Sequence, residues 1–332
     1  MSPKNNNTGL LVSGRHEKLW RQVVGRLIHK KIGLASLVVI VVLYLVGILS
    51  PWVTPYGYNE QDLSLGKGST VTRACAACKG PSLEHPFGTD RLGRDLLTRI
   101  IFGLRTTVIV SVASIATGSL FLGIGLGLAT GYFGKKVDTV VNRIGEVFLA
   151  FPGLLLVILI AATVRPRVVE WVRSIEDITN IEGIVRVGIV DYFVIFGALA
   201  AFSWVGMQRL VRGQVLYIKE SQYVEAAYAT GASVWRILMV HILPNLIGPV
   251  IVVVSMGMGA AVGSEIVLSW LGVGIQPPTP SLGVMIFENG SIGVLRSNAH
   301  LILFPVGVVT LIMFAFNLLG DALNDAINPR IR

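Results

Sequence analysis

The sequence predicts an all-α protein that crosses a membrane several times. Of its 332 residues, 53% are hydrophobic and only 14% are charged. A soluble domain of similar length carries about 25% charged residues. The mean hydropathy of +0.69 agrees with this interpretation. Six apolar segments are each long enough, at about 20 residues, to cross the hydrocarbon core as a helix.

The six predicted spans lie at residues 32–53, 106–132, 140–164, 189–207, 246–265 and 301–319. Lysine and arginine are dense in the head before the first span, as is typical of cytoplasmic segments. We therefore expect both termini to be cytoplasmic. The net charge of +9 lies mainly in the connecting loops, so the expected partner is the lipid bilayer and not a nucleic acid.

The connections between the spans divide the chain further. The long extracytoplasmic loop after the first span is predicted to lead into the second span through a capped helix start, with Thr89 or Asp90 as the N-cap. Within the membrane, Gly127 and Gly131 have the Gly-x-x-x-Gly spacing, which lets two helix backbones approach closely.

The segment between the fourth and fifth spans is predicted to form a helix–turn–helix on the membrane face. Its first helix should end at Gly231, because glycine readily adopts the left-handed C-terminal turn. Ser233 can cap a second short helix, and Pro244 can occupy the first turn of the fifth span. From these residues alone, a docking loop and an interfacial loop without a partner are equally open.

This segment, residues 223–244, resembles the signature loop of the inner-membrane permeases of binding-protein-dependent ABC importers. The matching residues are Glu225, Ala226, Ala227, Gly231, Leu243 and Pro244. His241 departs from the general pattern, which favours isoleucine at that position. Histidine in the context His-Ile-Leu-Pro-Asn is similar to the branch that serves dipeptides, oligopeptides and nickel.

Three further stretches resemble the same branch, so the similarity covers nearly the whole chain. They lie at residues 88–95, 271–280 and 317–330. The arrangement is similar to the C-type permease of a dipeptide or oligopeptide transporter, which implies the type I ABC importer permease fold. The implied organisation is a basic cytoplasmic segment (1–31), a first membrane helix (32–53), an extracytoplasmic loop (54–105), a permease core (106–321) and a cytoplasmic tail (322–332).

The resemblance implies a transport subunit, not an enzyme, that moves short peptides across the cytoplasmic (inner) membrane. Nickel or another small solute is the alternative cargo. Its implied partners are a second related permease, two ATPase subunits and an extracytoplasmic substrate-binding protein. The loop that contains Glu225 would dock onto an ATPase, and ATP and Mg would bind in those partners. We expect no cofactor, metal or nucleotide site in this chain.

Two cysteines lie in the extracytoplasmic loop, and the resemblance says nothing about them. Nearby thiols outside the cytoplasm usually oxidise, so a local disulfide between Cys75 and Cys78 is the first expectation. Unpaired thiols or a metal site shared with His85 are the alternatives, although these three side chains form only a partial ligand set. A membrane redox or metal protein that uses this cluster is the alternative function of a different class.

Glu265 lies at the end of the fifth predicted span. Charged groups within membrane helices are costly, so Glu265 is a candidate for the translocation path, where it could meet a substrate amine. The alternative is a polar group at the outer interface that pairs with a loop residue. Both interpretations are open at this point.

Overall fold

A computed structural model of the chain describes residues 25–62, 78–179, 183, 185 and 188–327. Within these residues the regular elements are helices, and the only β-type pairing is an isolated bridge between Thr89 and Asp95. The predicted all-α class is therefore confirmed.

We number the α-helices with described bounds in chain order. They are α1 (Lys31–Ile48), α2 (Ser50–Val53), α3 (Leu96–Ser114), α4 (Ile124–Phe133), α5 (Lys135–Ala150), α6 (Gly153–Thr179), α7 (Ile189–Ile218), α8 (Gln222–Ala229), α9 (Val234–Arg236), α10 (Leu243–Trp270), α11 (Leu282–Asn289), α12 (Ile292–Ser297) and α13 (His300–Ile327). Two π-helical segments, Ile115–Gly123 and Ile237–Ile242, join α3 to α4 and α9 to α10 without a break.

Five continuous stretches of the described residues are long and apolar enough to cross a membrane. They are Lys31–Ile48, Leu96–Phe133, Ile189–Ile218, Val234–Trp270 and His300–Ile327. Helices α5 and α6 pass the same test only as a pair, bent by 92° at the break between them. The six predicted spans thus correspond to five continuous spans and one broken span.

The prediction of one continuous helix at residues 140–164 is wrong, because the chain breaks at Phe151 and Pro152. Proline lacks the N–H that an interior helical position needs, and it disfavours helical backbone at the residue before it. Phe151 is accordingly extended, with φ −97° and ψ 146°. Pro152 is visible in the sequence and could have been used to predict this break.

Helix α3 begins at Leu96, well before the predicted start of the second span. Its N-cap is Asp95, whose carboxylate accepts a hydrogen bond from the Thr98 N–H at 2.7 Å. The prediction of Thr89 or Asp90 as the cap is wrong, because both precede the turn that leads into the helix. Asp95 comes last in that turn and is the residue in capping position.

Asp90 instead holds the turn together. Its carboxylate accepts from Nε of Arg94 at 2.7 Å and from a guanidinium nitrogen of Arg99. It also accepts from the backbone N–H groups of Leu92 at 2.9 Å and of Arg94 at 3.0 Å. The two arginines extend the network toward Glu288 on α11, at 4.0 and 3.6 Å respectively.

Close helix packing follows the predicted glycine spacing. A Cβ built on Gly127 would lie 2.6 Å from Cβ of Val211, and one on Gly131 would lie 2.6 Å from Cβ of Val215. No side chain fits there without a shift, so glycine lets α4 lie directly against α7.

The largest buried apolar cluster joins α1, α3, α10, α11, α12 and α13. The N-terminal segment also contacts the last helix, because Lys30 forms an ion pair with Asp325 at 2.6 Å and Arg26 donates to the carbonyl of Ala326 at 3.2 Å. The last residues of the predicted tail motif, Pro329 and Arg330, lie outside the described residues.

Candidate functional site

The candidate site is the loop between α7 and α10, which contains α8, a turn and α9. We call residues 219–236 the α8–α9 loop. It lies at the opposite end of α7 from Asp191, and therefore on the opposite face of the protein from the loop at residues 271–281. The predicted helix–turn–helix is present in this segment.

The turn is built by a regular helix C-terminal motif. Gly231 has a φ of +78°, which an L side chain rarely adopts. Its N–H donates to the carbonyl of Tyr228 at 3.0 Å, and the N–H of Ala232 donates to the carbonyl of Ala227 at 3.0 Å. This is the Schellman pattern, which satisfies the last carbonyls of α8. The predicted end of the first helix at Gly231 is confirmed.

The second helix starts where the sequence predicts. The hydroxyl of Ser233 accepts a hydrogen bond from the Arg236 N–H at 3.4 Å. Pro244 lies in the first turn of α10, also as predicted. Helices α9 and α10 are nevertheless continuous, because the π-helical segment Ile237–Ile242 connects them.

The α8–α9 loop is anchored on the membrane helices. Val224 of α8 is buried, and so is Ile237 at the start of the π-helical segment. Both belong to one apolar cluster that spans α4, α7 and α10. Its buried members are Leu128, Met207, Val211, Val215, Ile218, Val224, Ile237, Leu238, Ile242, Leu246 and Val250. The loop is therefore packed closely against three membrane helices.

The outer face of the loop is open. Glu225 and Ala226 are exposed, whereas Ala227 is half-buried, so only one of the two predicted alanines lies fully on the flat side. Two large aromatic side chains flank this face: Tyr228 is 69% exposed and Trp235 is 70% exposed. Sequence reasoning did not single out either aromatic residue.

This arrangement is suited to bind another protein. Exposed aromatic side chains beside a small, flat surface are typical anchors of protein interfaces, since each buries a large area when covered. The half-buried Leu243 and Pro244 lie at the base of the loop, where they connect it to α10 and cannot contact a partner as extensively.

Glu265, the candidate for the translocation path, is fully buried within its own chain. Its carboxylate accepts hydrogen bonds from the hydroxyls of Thr107 at 2.9 Å, Ser269 at 3.0 Å and Ser281 at 3.1 Å. Ser281 belongs to the loop after α10. The geometry favours the alternative interpretation, a polar group that pairs with a loop residue.

Cys78 is disulfide-bonded, and its predicted partner Cys75 lies outside the described residues. The Nδ1 atom of His85 lies 2.9 Å from Oδ1 of Asp95, so the imidazole is engaged by a carboxylate. Across the part of the chain that the structure describes, no group of three or more His, Cys, Asp or Glu side chains could hold a metal ion.

Known proteins are similar in sequence to this chain over most of its length. Residues 123–332 match the family described as "Binding-protein-dependent transport system inner membrane component". Residues 18–67 match "N-terminal TM domain of oligopeptide transport permease C".

Individual relatives agree with the family match. A dipeptide transport system permease protein of Alkalihalophilus pseudofirmus is 34% identical, with 94% of this chain and 90% of the relative covered. An oligopeptide transport system permease protein of Bacillus subtilis is 32% identical, with 97% and 93% covered. A glutathione transport system permease protein of Pectobacterium atrosepticum is 32% identical, with 94% and 92% covered.

Proposed function

The chain belongs to the family of inner membrane components of binding-protein-dependent transport systems, and we propose that it is the permease subunit through which an ATP-driven importer moves short peptides across the cytoplasmic membrane. The subunit itself carries no reaction. It supplies one part of the membrane pathway and a surface that receives the motion of a partner.

The exposed face of the α8–α9 loop carries this proposal. Glu225 and Ala226 lie on it, and Trp235 stands beside it, while Val224 fixes the loop to the membrane helices from beneath. A face that is open outward and tightly packed inward is suited to receive a docking partner. We propose that this partner is an ATPase subunit on the cytoplasmic side, which places both termini in the cytoplasm.

The proposed coupling is a shift between two conformations. ATP binds better to the state in which the two partner ATPases are closed together, so it favours that state by the difference in affinity. Docking of the α8–α9 loop then links ATPase closure to the position of α10, because no loop interrupts the helix from Val234 to Trp270. The complete importer would also contain a second related permease and an extracytoplasmic substrate-binding protein.

The substrate class is argued from what the relatives have in common. Their names specify dipeptides, oligopeptides and glutathione, all of which are short peptides or peptide-like compounds. We therefore propose short peptides as the cargo of this chain. Nickel or another small solute remains the alternative, since the external binding protein supplies much of the selectivity in such systems.

Uptake into cells tests the proposed function. A strain that lacks this permease should lose accumulation of labelled dipeptides and tripeptides, and the wild-type chain supplied in trans should restore it. Labelled nickel, measured in the same strains, is expected to be unaffected. Unchanged peptide uptake together with lost nickel uptake would reject the peptide proposal and support the alternative.

A further inference from the structure

Two ion pairs join the broken span, α5 and α6, to α7 at opposite ends. Nε of Arg165 lies 2.7 Å from Oδ1 of Asp191, and a guanidinium nitrogen of Arg212 lies 2.6 Å from Oδ2 of Asp138. At 1.5 Å per residue, Asp191 and Arg212 are about 31 Å apart along α7. The hydrocarbon core is about 30 Å thick, but Arg143 and Glu146 on α5 are 78% and 52% exposed, so its boundary on this side lies near Glu146 and not as far out as Asp138.

The break lies within the apolar stretch 147–164, which the charged residues Glu146 and Arg165 bound. Phe202 stands midway between Asp191 and Arg212 on α7. Its ring centroid is 6.0 Å from that of Phe148, near the end of α5, and a Cβ on Gly153 would lie 3.1 Å from its ring. The residues on both sides of the break therefore contact α7 within its apolar part.

A helix break at this depth frees polar groups. The first N–H groups of α6, starting at Gly153, and the last carbonyls of α5, ending at Ala150, have no partner within their own helices. Lipid tails cannot hydrogen-bond them. Irregular backbone at membrane depth is tolerated only where it is buried in protein or lines a water-filled cavity.

This chain does not bury the break. Phe151 is 55% exposed and Leu155 is 63% exposed, and Pro152 between them is exposed as well. The exposed face therefore needs either water or a second protein chain beside it. Broken membrane helices are a recurrent feature of substrate sites in transporters.

We propose that the break at Phe151 and Pro152 lines the substrate pathway, and that Phe151 and Leu155 face the passing peptide. This inference rests on the proposed function and names a part of the chain that contacts the substrate. Large apolar side chains at such a position close the pathway to water and small ions when no substrate is present. They also contact the side chains of varied peptides without selecting one of them.

Accessibility to a water-soluble reagent tests this assignment in the assembled importer. Phe151→Cys and Phe314→Cys are made in a chain that carries Cys75→Ser and Cys78→Ser. Phe314 is a matched control, because it is 64% exposed on the continuous span α13. A charged methanethiosulfonate is expected to label residue 151 at least about tenfold faster than residue 314, and a transported peptide should slow only the labelling of residue 151.

Equal labelling rates at the two positions, without protection by peptide, would overturn the assignment. The assignment would also be overturned if the cysteine at position 151 did not react with the charged reagent but could be crosslinked to the second permease. The break would then lie at a protein interface. Leu155→Cys provides a second reporter if Phe151→Cys does not assemble. Uptake of peptides by the chain with both cysteines replaced is measured first. If this chain imports another solute but no peptide, the proposed peptide substrate is rejected. The labelling rates at residues 151 and 314 then still test whether the break lines the pathway.

Discussion

Arg165 and Asp191 form an ion pair in which the two side chains have unequal exposure. The Arg165 side chain is 38% exposed, whereas that of Asp191 is only 7% exposed. The second oxygen of Asp191 accepts from the backbone N–H of Gln276 at 3.2 Å, so this carboxylate joins α6, α7 and the loop after α10. Because Asp191 is buried, its carboxylate needs the nearby guanidinium of Arg165 to compensate its charge.

Removal of Arg165 should destabilise the protein much more than removal of an arginine from an exposed pair. Arg165→Met leaves the buried Asp191 without its cation and is expected to cost about 2–4 kcal/mol of stability. The matched control is Arg143→Met, since Arg143 and Glu146 are 78% and 52% exposed and their pair contributes about 0–1 kcal/mol.

Thermal unfolding of the purified complexes measures both effects. The double variant Arg165→Met with Asp191→Leu should recover much of the loss, because it removes the buried charge as well. Equal unfolding temperatures for Arg165→Met and Arg143→Met would contradict the structural role of this pair.

A methyl group added to Gly127 should disturb the contact between α4 and α7. Its Cβ would lie 2.6 Å from Cβ of Val211, so Gly127→Ala is expected to cost about 1–3 kcal/mol through overpacking. Gly125→Ala is the control, because no atom lies within 4 Å of a Cβ there. The unfolding temperature should fall for the first variant and stay constant or rise slightly for the second. The reverse order would exclude close packing at Gly127.

The three hydroxyl groups that donate to Glu265 predict that two substitutions at this position differ in their effect on stability. Glu265→Gln keeps a carbonyl acceptor for Thr107, Ser269 or Ser281, whereas Glu265→Leu leaves all three hydroxyls without it. The leucine variant should therefore lose about 2–4 kcal/mol of stability, and the glutamine variant clearly less. Peptide uptake by Glu265→Gln is expected to stay close to that of the wild type. If the glutamine variant folds well but cannot import peptides, the result would support a role for Glu265 in the translocation path.

Docking of the ATPase should depend on the open face of the α8–α9 loop. Trp235→Ala and Glu225→Ala are each expected to weaken retention of the ATPase during purification, by about tenfold for the aromatic residue. Ala227→Pro should abolish docking, because proline disrupts α8. Trp52→Ala is the matched control, since Trp52 is 79% exposed on α2, far from this loop.

The measurement is co-purification of the ATPase from detergent, with membrane insertion checked separately. Undiminished co-purification and transport in the three loop variants would reject the α8–α9 loop as the docking site. A similar loss in Trp52→Ala would indicate a general defect of the complex and would also count against a localised docking face.

Local signals in the sequence were sufficient to predict the α8–α9 loop. Gly231, Ser233 and Pro244 each act within one helical turn of their own position, so their effects can be deduced without the rest of the fold. The break at Pro152 was equally local, but the strong apolar pattern of residues 140–164 hid it.

Contacts between distant segments could not be predicted in the same way. The donors to Glu265 come from α3, α10 and the loop after α10, and only the packed helices bring them together. The N-cap of α3 could not be predicted from the sequence for a similar reason, although it involves only a short segment. Asp90 and Asp95 are both suitable cap residues, and the path of the turn decides which one reaches the helix.

The uninterrupted helix from Val234 to Trp270 has a mechanical consequence. At 1.5 Å per residue it is about 55 Å long, with the α8–α9 loop at one end. If this helix moves as a rigid body, a tilt of about 5° around the α8–α9 loop would displace its far end by about 5 Å, which is about the spacing between neighbouring extended chains. If an ATPase docks on the α8–α9 loop as we propose, small angular changes there would displace the opposite end of this helix enough to open or close an entrance for a peptide.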